Sequence, residues 1–113
     1  MISSLQVTDD LSKSVQKTSN RVSLESIEKE IDSIEFHNPS ICPHMTVAYV
    51  KLKNGFIVIG KSTPADPENY DSKLCNQFAR DDALRQVWPL LAFRLRDFMT
   101  APKDPPAEVA SAT

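Results

Sequence analysis

The chain is short of cysteine, histidine, long apolar runs and basic charge, and each shortage removes a class of function. Two cysteines, Cys42 and Cys75, are too few for a disulfide framework. The stretch Cys42-Pro43-His44, with His37 nearby, leaves a four-ligand zinc site one ligand short. It reads as a loop entering a strand. His37 and His44 fall in expected loops and form no Ser-His-Asp or Cys-His-Asn pattern. No apolar run approaches the roughly 20 residues of a membrane-spanning helix. The N-terminus lacks the apolar block and small-residue cleavage site of a secretory signal. A reduced, cytoplasmic setting fits. A net charge of -2 and a pI near 5.6 disfavour a dedicated nucleic-acid binder while leaving room for a local basic patch.

What remains is 113 residues, 41% hydrophobic and 25% charged, which is the composition of one small globular domain. Residues 1–20 are polar with scattered Leu5, Val7, Leu11 and Val15, and read as a flexible N-terminal arm. Residues 100–113 carry Pro102, Pro105 and Pro106 among small residues, and read as a disordered tail. The folded domain is therefore expected over residues 21–99. A core this small invites support from a second copy. Residues 1–43 hold four Lys/Arg against seven Asp/Glu, whereas residues 44–99 hold eight against six. A modest basic bias thus sits on the expected core.

Ser23 is placed to cap a helix in which Leu24, Ile27, Ile31 and Ile34 recur at three- and four-residue steps, ending at Asn38-Pro39. Met45–Leu52 and Phe56–Ile59 read as two strands joined by Asn54-Gly55, a two-residue hairpin turn. That register sets Lys53 against Phe56, Leu52 against Ile57 and Val50 against Ile59. Ala48, Val50, Leu52, Ile57 and Ile59 would then face the helices, and Tyr49, Lys51, Lys53, Phe56 and Val58 the other side. The Met45–Leu52 edge is left open to a partner strand. Asp66-Pro67-Glu68 reads as a helix start. The apolar positions Leu74, Phe78, Leu84, Val87 and Trp88 follow at helical spacing, and Pro89 is expected to break the helix. The predicted fold class is α+β: an N-terminal helix, an antiparallel β-hairpin and a long helix broken at Pro89, packed as a single small domain.

The ordered series Asn54-Gly55-Phe56, Gly60, Ser62, Pro67-Glu68-Asn69-Tyr70, Ala79-Arg80 and Trp88-Pro89-Leu90 resembles one small tailed-phage family. That family is named for gene product 49 of coliphage N-four and gene product 66 of Shigella phage Sf-six. Phe93, Leu95 and Arg96 match the pattern at its end. Pro64 and Cys75 depart from it, since the family carries cysteine and glycine there, which suggests structural roles for these positions. The resemblance implies an accessory protein made inside an infected bacterium, in the host cytoplasm, and it carries over no catalytic residue.

Asp81-Asp82 beside Arg80 and Arg85 is the densest charge cluster. Adjacent helical residues point about 100° apart, so a solvated face with Asp81–Arg85 pairing is preferred to a magnesium or acid–base site. Pro67–Tyr70 is read as a helix start and Trp88 as core. No nucleophile–base or metal set emerges, so no enzyme and no cofactor are expected. The expected function is to bind a bacterial host protein, a defence component among the candidates, and to inhibit or redirect it. The chain would act as a homodimer, with no membrane role. Tyr49, Lys51, Lys53, Phe56, Arg80 and Arg85 are the expected partner-binding residues. The alternative is nucleic-acid or nucleotide binding, because Tyr49 and Phe56 could stack on bases while Lys51 and Lys53 hold phosphates.

Overall fold

A computed structural model describes residues 4–100; the tail expected from the sequence falls almost wholly outside the described residues. The elements run α1 (Ser4–Ser14), α2 (Leu24–Lys29), β1 (Ile31–His37), β2 (Thr46–Leu52), β3 (Ile57–Ser62), a 3-10 turn (Pro67–Asn69) and α3 (Ser72–Thr100). The strands form one antiparallel sheet in the order β1-β2-β3. The architecture is the expected α+β single domain, with α3 laid across β2 and β3.

Several local readings change. Ser23 does cap α2, its hydroxyl accepting from the Ser26 N–H at 3.1 Å, but the helix stops at Lys29 and the chain turns into β1. Ile31 and Ile34 recur at a helical interval, yet they pair with Leu52 and Val50, which share one face of β2. The register slips between Ile31 and Ser33: a bulge inserts Asp32 and returns both isoleucines to the same side. Three-residue spacing across a bulge imitates a helix. The expected hairpin is therefore the second half of a three-stranded sheet. Its β2 is the central strand with both edges paired, not an open edge.

The turn holds three residues rather than two. The Gly55 N–H donates to the Leu52 carbonyl at 2.9 Å and the Leu52 N–H to the Phe56 carbonyl at 2.8 Å. Gly55 takes φ of 90°, as a turn closing on a glycine bulge requires. The register then sets Val50 against Val58 and Tyr49 against Ile59, one residue away from the expected pairing. A slip of one exchanges the faces of a strand. Val58 and Gly60 point inward, and Ile57 and Ile59, expected inside, are about half exposed.

The inner position of Gly60 has a steric reason. A Cβ there would lie 2.1 Å from the Ala79 carbonyl oxygen and 2.4 Å from the Ala83 amide nitrogen. β3 and α3 thus meet backbone to backbone, with Cys75, Ala79, Ala83 and Val87 forming the small-residue row of the helix. Above this contact lies the core: Leu5, Leu24, Ile27, Val50, Leu52, Val58, Leu84, Val87 and Leu91. Trp88 packs against it and donates its indole N–H to the Val22 carbonyl at 3.0 Å.

α3 runs through Pro89 without a break. Proline removes only the bond to the Arg85 carbonyl, and Arg85 and Pro89 lie on the exposed side, where water can serve that carbonyl. The helix begins later than expected: Asp66 caps only the 3-10 turn, accepting from the Glu68 N–H at 3.0 Å, and Asp71 accepts from the Leu74 N–H at 2.9 Å.

The expected N-terminal arm contains α1, which buries Leu5 and Asp9. Asp9 accepts from the Arg21 guanidinium at 2.7 Å and from the Leu24 N–H at 3.0 Å, tying α1 to the start of α2. Gly60→Ala is expected to cost about 3 kcal/mol of stability in equilibrium urea unfolding, because backbone must move to admit the methyl. Gly55→Ala, strained but in open space, is expected to cost about 1 kcal/mol. Equal losses would contradict the close strand–helix contact.

Candidate partner-binding face

The sheet has one face under α3 and one bare face. Along β2, Val47, Tyr49 and Lys51 alternate outward with the buried Thr46, Ala48, Val50 and Leu52. Register places His37, Glu35 and Ser33 of β1 beside them on one side, and Lys61, Ile59 and Ile57 of β3 on the other. The central row is Glu35–Tyr49–Ile59. Tyr49 is 38% exposed, Ile59 51% and Ile57 54%, so apolar side chains are neighbours on adjacent strands. An antiparallel sheet that merely faces water carries polar residues there; a contiguous exposed apolar patch marks an interaction surface.

Lys51 and Lys61 flank this patch and are exposed. Neither enters an ion pair among the described residues, where the cations that do so are Arg21, Lys29, Arg80 and Arg94. Glu35 is the acidic group of the face. The surface is thus apolar at its centre with free positive charge beside it, mounted on a hydrogen-bonded sheet.

The six expected site residues divide among four places. Tyr49 and Lys51 lie together on the bare face. Lys53 is in the turn, its backbone N–H donating to the Glu30 carbonyl at 2.9 Å. Phe56, 54% exposed, lines a cleft of about 160 Å³ with Leu52, Asn54, Leu90, Leu91 and Arg94, on the helix side. Arg80 bonds Glu28 at 2.9 Å, and Arg85 bonds the Ser4 hydroxyl, so both tie α3 to the N-terminal helices. Ile57, Ile59, Lys61 and Glu35 were not foreseen on the face. For the three β3 residues the signal is Gly60, since a glycine inside a strand marks close backbone approach and hence the inward side.

The charge cluster on α3 is not a solvated face. Asp81 is 6% exposed and 3.6 Å from Arg80. Burial pushes its carboxyl above the ordinary range, against the pull of Arg80 and Arg85 and with help from Glu28. Asp82 instead accepts from the Lys61 N–H at 3.0 Å. Two other carboxyls, Glu30 and Asp9, move down. A hydrogen bond from Arg94 lowers Glu30 despite partial burial. At Asp9 burial works upward, yet the bonds from Arg21 and Leu24 prevail.

Among the described residues, no three His, Cys, Asp or Glu side chains could hold a metal ion together. Cys42 Sγ is 3.4 Å from Nε2 of His44, a pair without a third group to orient it. No described helix is long and apolar enough to cross a membrane.

Asp81→Asn is expected to raise the melting temperature by a few degrees at neutral pH. The carboxyl titrates higher in the fold than in the unfolded chain, so its penalty is present above the folded pKa and disappears as pH falls through it. The advantage of the variant should fade on acidification. Asp9→Asn should act oppositely, losing stability at neutral pH and converging on the parent in acid. Calorimetry between pH 3 and 8 checks both, and a pH-independent Asp81→Asn effect would rule out the burial argument.

Comparison with known proteins bears on origin. Residues 22–99 match the profile of the Phage protein (N4 Gp49/phage Sf6 gene 66) family, and the chain belongs to that family. Neither a curated protein nor a solved structure matches it significantly.

Proposed function

We propose that this phage-family protein is a non-enzymatic accessory factor that binds a bacterial host protein in the host cytoplasm and inhibits or redirects it by occlusion. It would act as a homodimer. The observation that carries this reading is the bare sheet face, where Tyr49, Ile57 and Ile59 are exposed between Lys51 and Lys61. A rigid apolar centre supplies the contact area that a preformed binding surface needs, and free ammonium groups at its border favour an acidic partner and speed encounter. The partner suited to it presents apolar side chains ringed by carboxylates. A defence component is one such candidate.

Nucleic acid is the second reading, favoured by Tyr49 between Lys51 and Lys61 in one plane, an arrangement in which a ring can stack on a base. Glu35, directly opposite Tyr49 in the register, repels phosphate and weighs against it.

The discriminating experiment compares the parent chain with a Tyr49→Asp, Lys51→Glu, Lys61→Glu variant, all three exposed positions, in affinity capture from nuclease-treated bacterial lysate. The parent is expected to retain one stoichiometric host protein, and the variant to lose it while its circular dichroism is unchanged. Equal capture by both would reject this face. Nucleic acid would show instead as affinity for single-stranded probes falling steeply with salt, the slope becoming shallower in the variant.

A further inference from the structure

We propose that the free edge of β1 pairs antiparallel with β1 of a second copy, the two-fold axis passing beside Phe36. The inference rests on the homodimer part of the proposed function and assigns it a surface.

The two edges of the sheet differ. On β3, the Lys61 N–H donates to the Asp82 carboxylate at 3.0 Å, and the Ile59 carbonyl accepts from Gln86 Nε2 at 2.6 Å. Asp82 and Gln86 are one helical turn apart on α3 and fold down over that edge, occupying two of the backbone groups that an incoming strand would use. β3 is closed by its own helix. On β1 the ladder alternates in the complementary way. Leu52 bonds Phe56 across the turn, so positions 48, 50 and 52 of β2 bond β3, while 47, 49 and 51 bond 37, 35 and 33 of β1. The backbone groups of Ile34 and Phe36 consequently project from the outer edge. Phe36 is 41% exposed, although register places it opposite the buried Ala48 on the helix side of the sheet.

The side chains choose both the occupant and the register. A second copy offers the same N–H and C=O spacing, and a two-fold axis satisfies both edges at once. An axis at Glu35 would set this carboxylate against itself, which is destabilising. An axis at Ile34 would bring the Asp32 bulge into the ladder. An axis at Phe36 pairs the rings across the symmetry axis, sets Glu35 opposite His37 of the second copy and keeps the bulge outside. One occupant thus covers Phe36, a large apolar side chain that the fold leaves exposed. The result is a continuous six-stranded sheet whose partner-binding face stays open.

The full-length chain is tested by light scattering coupled to size exclusion and by cysteine scanning in a Cys42→Ser background. The parent is expected to have the mass of two chains. Phe36→Pro, which removes an outward N–H but none used by β2, is expected to have the mass of one. On mild oxidation, Phe36→Cys should cross-link roughly tenfold faster than Ile34→Cys or Glu35→Cys, since only that pair meets its own copy within disulfide reach. A dimer that survives Phe36→Pro and shows no preferred Phe36→Cys link rejects this edge and keeps the homodimer. A monomeric parent rejects both. Neither result touches host-protein capture by the opposite face.

Discussion

The contact on which the rest of the structure depends is the one between Gly60 and the backbone of Ala79 and Ala83. Strand and helix layers ordinarily keep side chains between them; here one strand position has none, and α3 settles directly onto β3. The approach aligns Asp82 and Gln86 with the strand they hydrogen-bond. It also holds the hairpin in a register where Val58 and Gly60 face inward. Once β3 is so placed, Ile57 and Ile59 have no choice but the other side. The bare apolar face is thus a consequence of the packing on the covered one.

The N-terminal helices are attached by different means. Leu5, Leu24 and Ile27 are buried, but much of the attachment is polar. Asp9 bonds Arg21 and the Leu24 N–H, Glu28 bonds Arg80, and Glu30 bonds Arg94. The last two pairs are partly solvent-exposed, where such contacts contribute little stability and mainly set orientation. Asp9 with Arg21 is the least exposed pair of the set, and its carboxylate also satisfies a backbone donor at the entry to α2. A small core makes such anchoring more consequential, because fewer apolar contacts share the work.

The sheet presents its two unused resources in different directions. Its bare face offers apolar side chains with free lysines, and its β1 edge offers backbone donors and acceptors beside Phe36. A face and an edge do not compete for the same occupant, so one can serve association between copies while the other meets a different molecule. The second edge, covered by α3, serves neither.

The sequence by itself determined the domain class, the α2 cap at Ser23, the turn at Gly55, the helical run that became α3 and the phage-family membership. Each is a local pattern or an ordered motif, legible without knowing what lies across the fold. It also placed Tyr49 and Lys51 on an exposed face, because alternation along one strand is local. Tertiary structure alone decided the rest. A bulge at Asp32 put Ile31 and Ile34 on one face of a strand, where their spacing read as helix. A third residue in the turn reversed β3, and thereby brought Ile59 and Lys61 beside Tyr49. Solvent exposure let Pro89 sit within a continuous helix, and pairing with Glu28 and Ser4 turned Arg80 and Arg85 away from any shared site. For β1 and for the two arginines the deciding term was a contact between residues distant in the chain, to which a local pattern is blind.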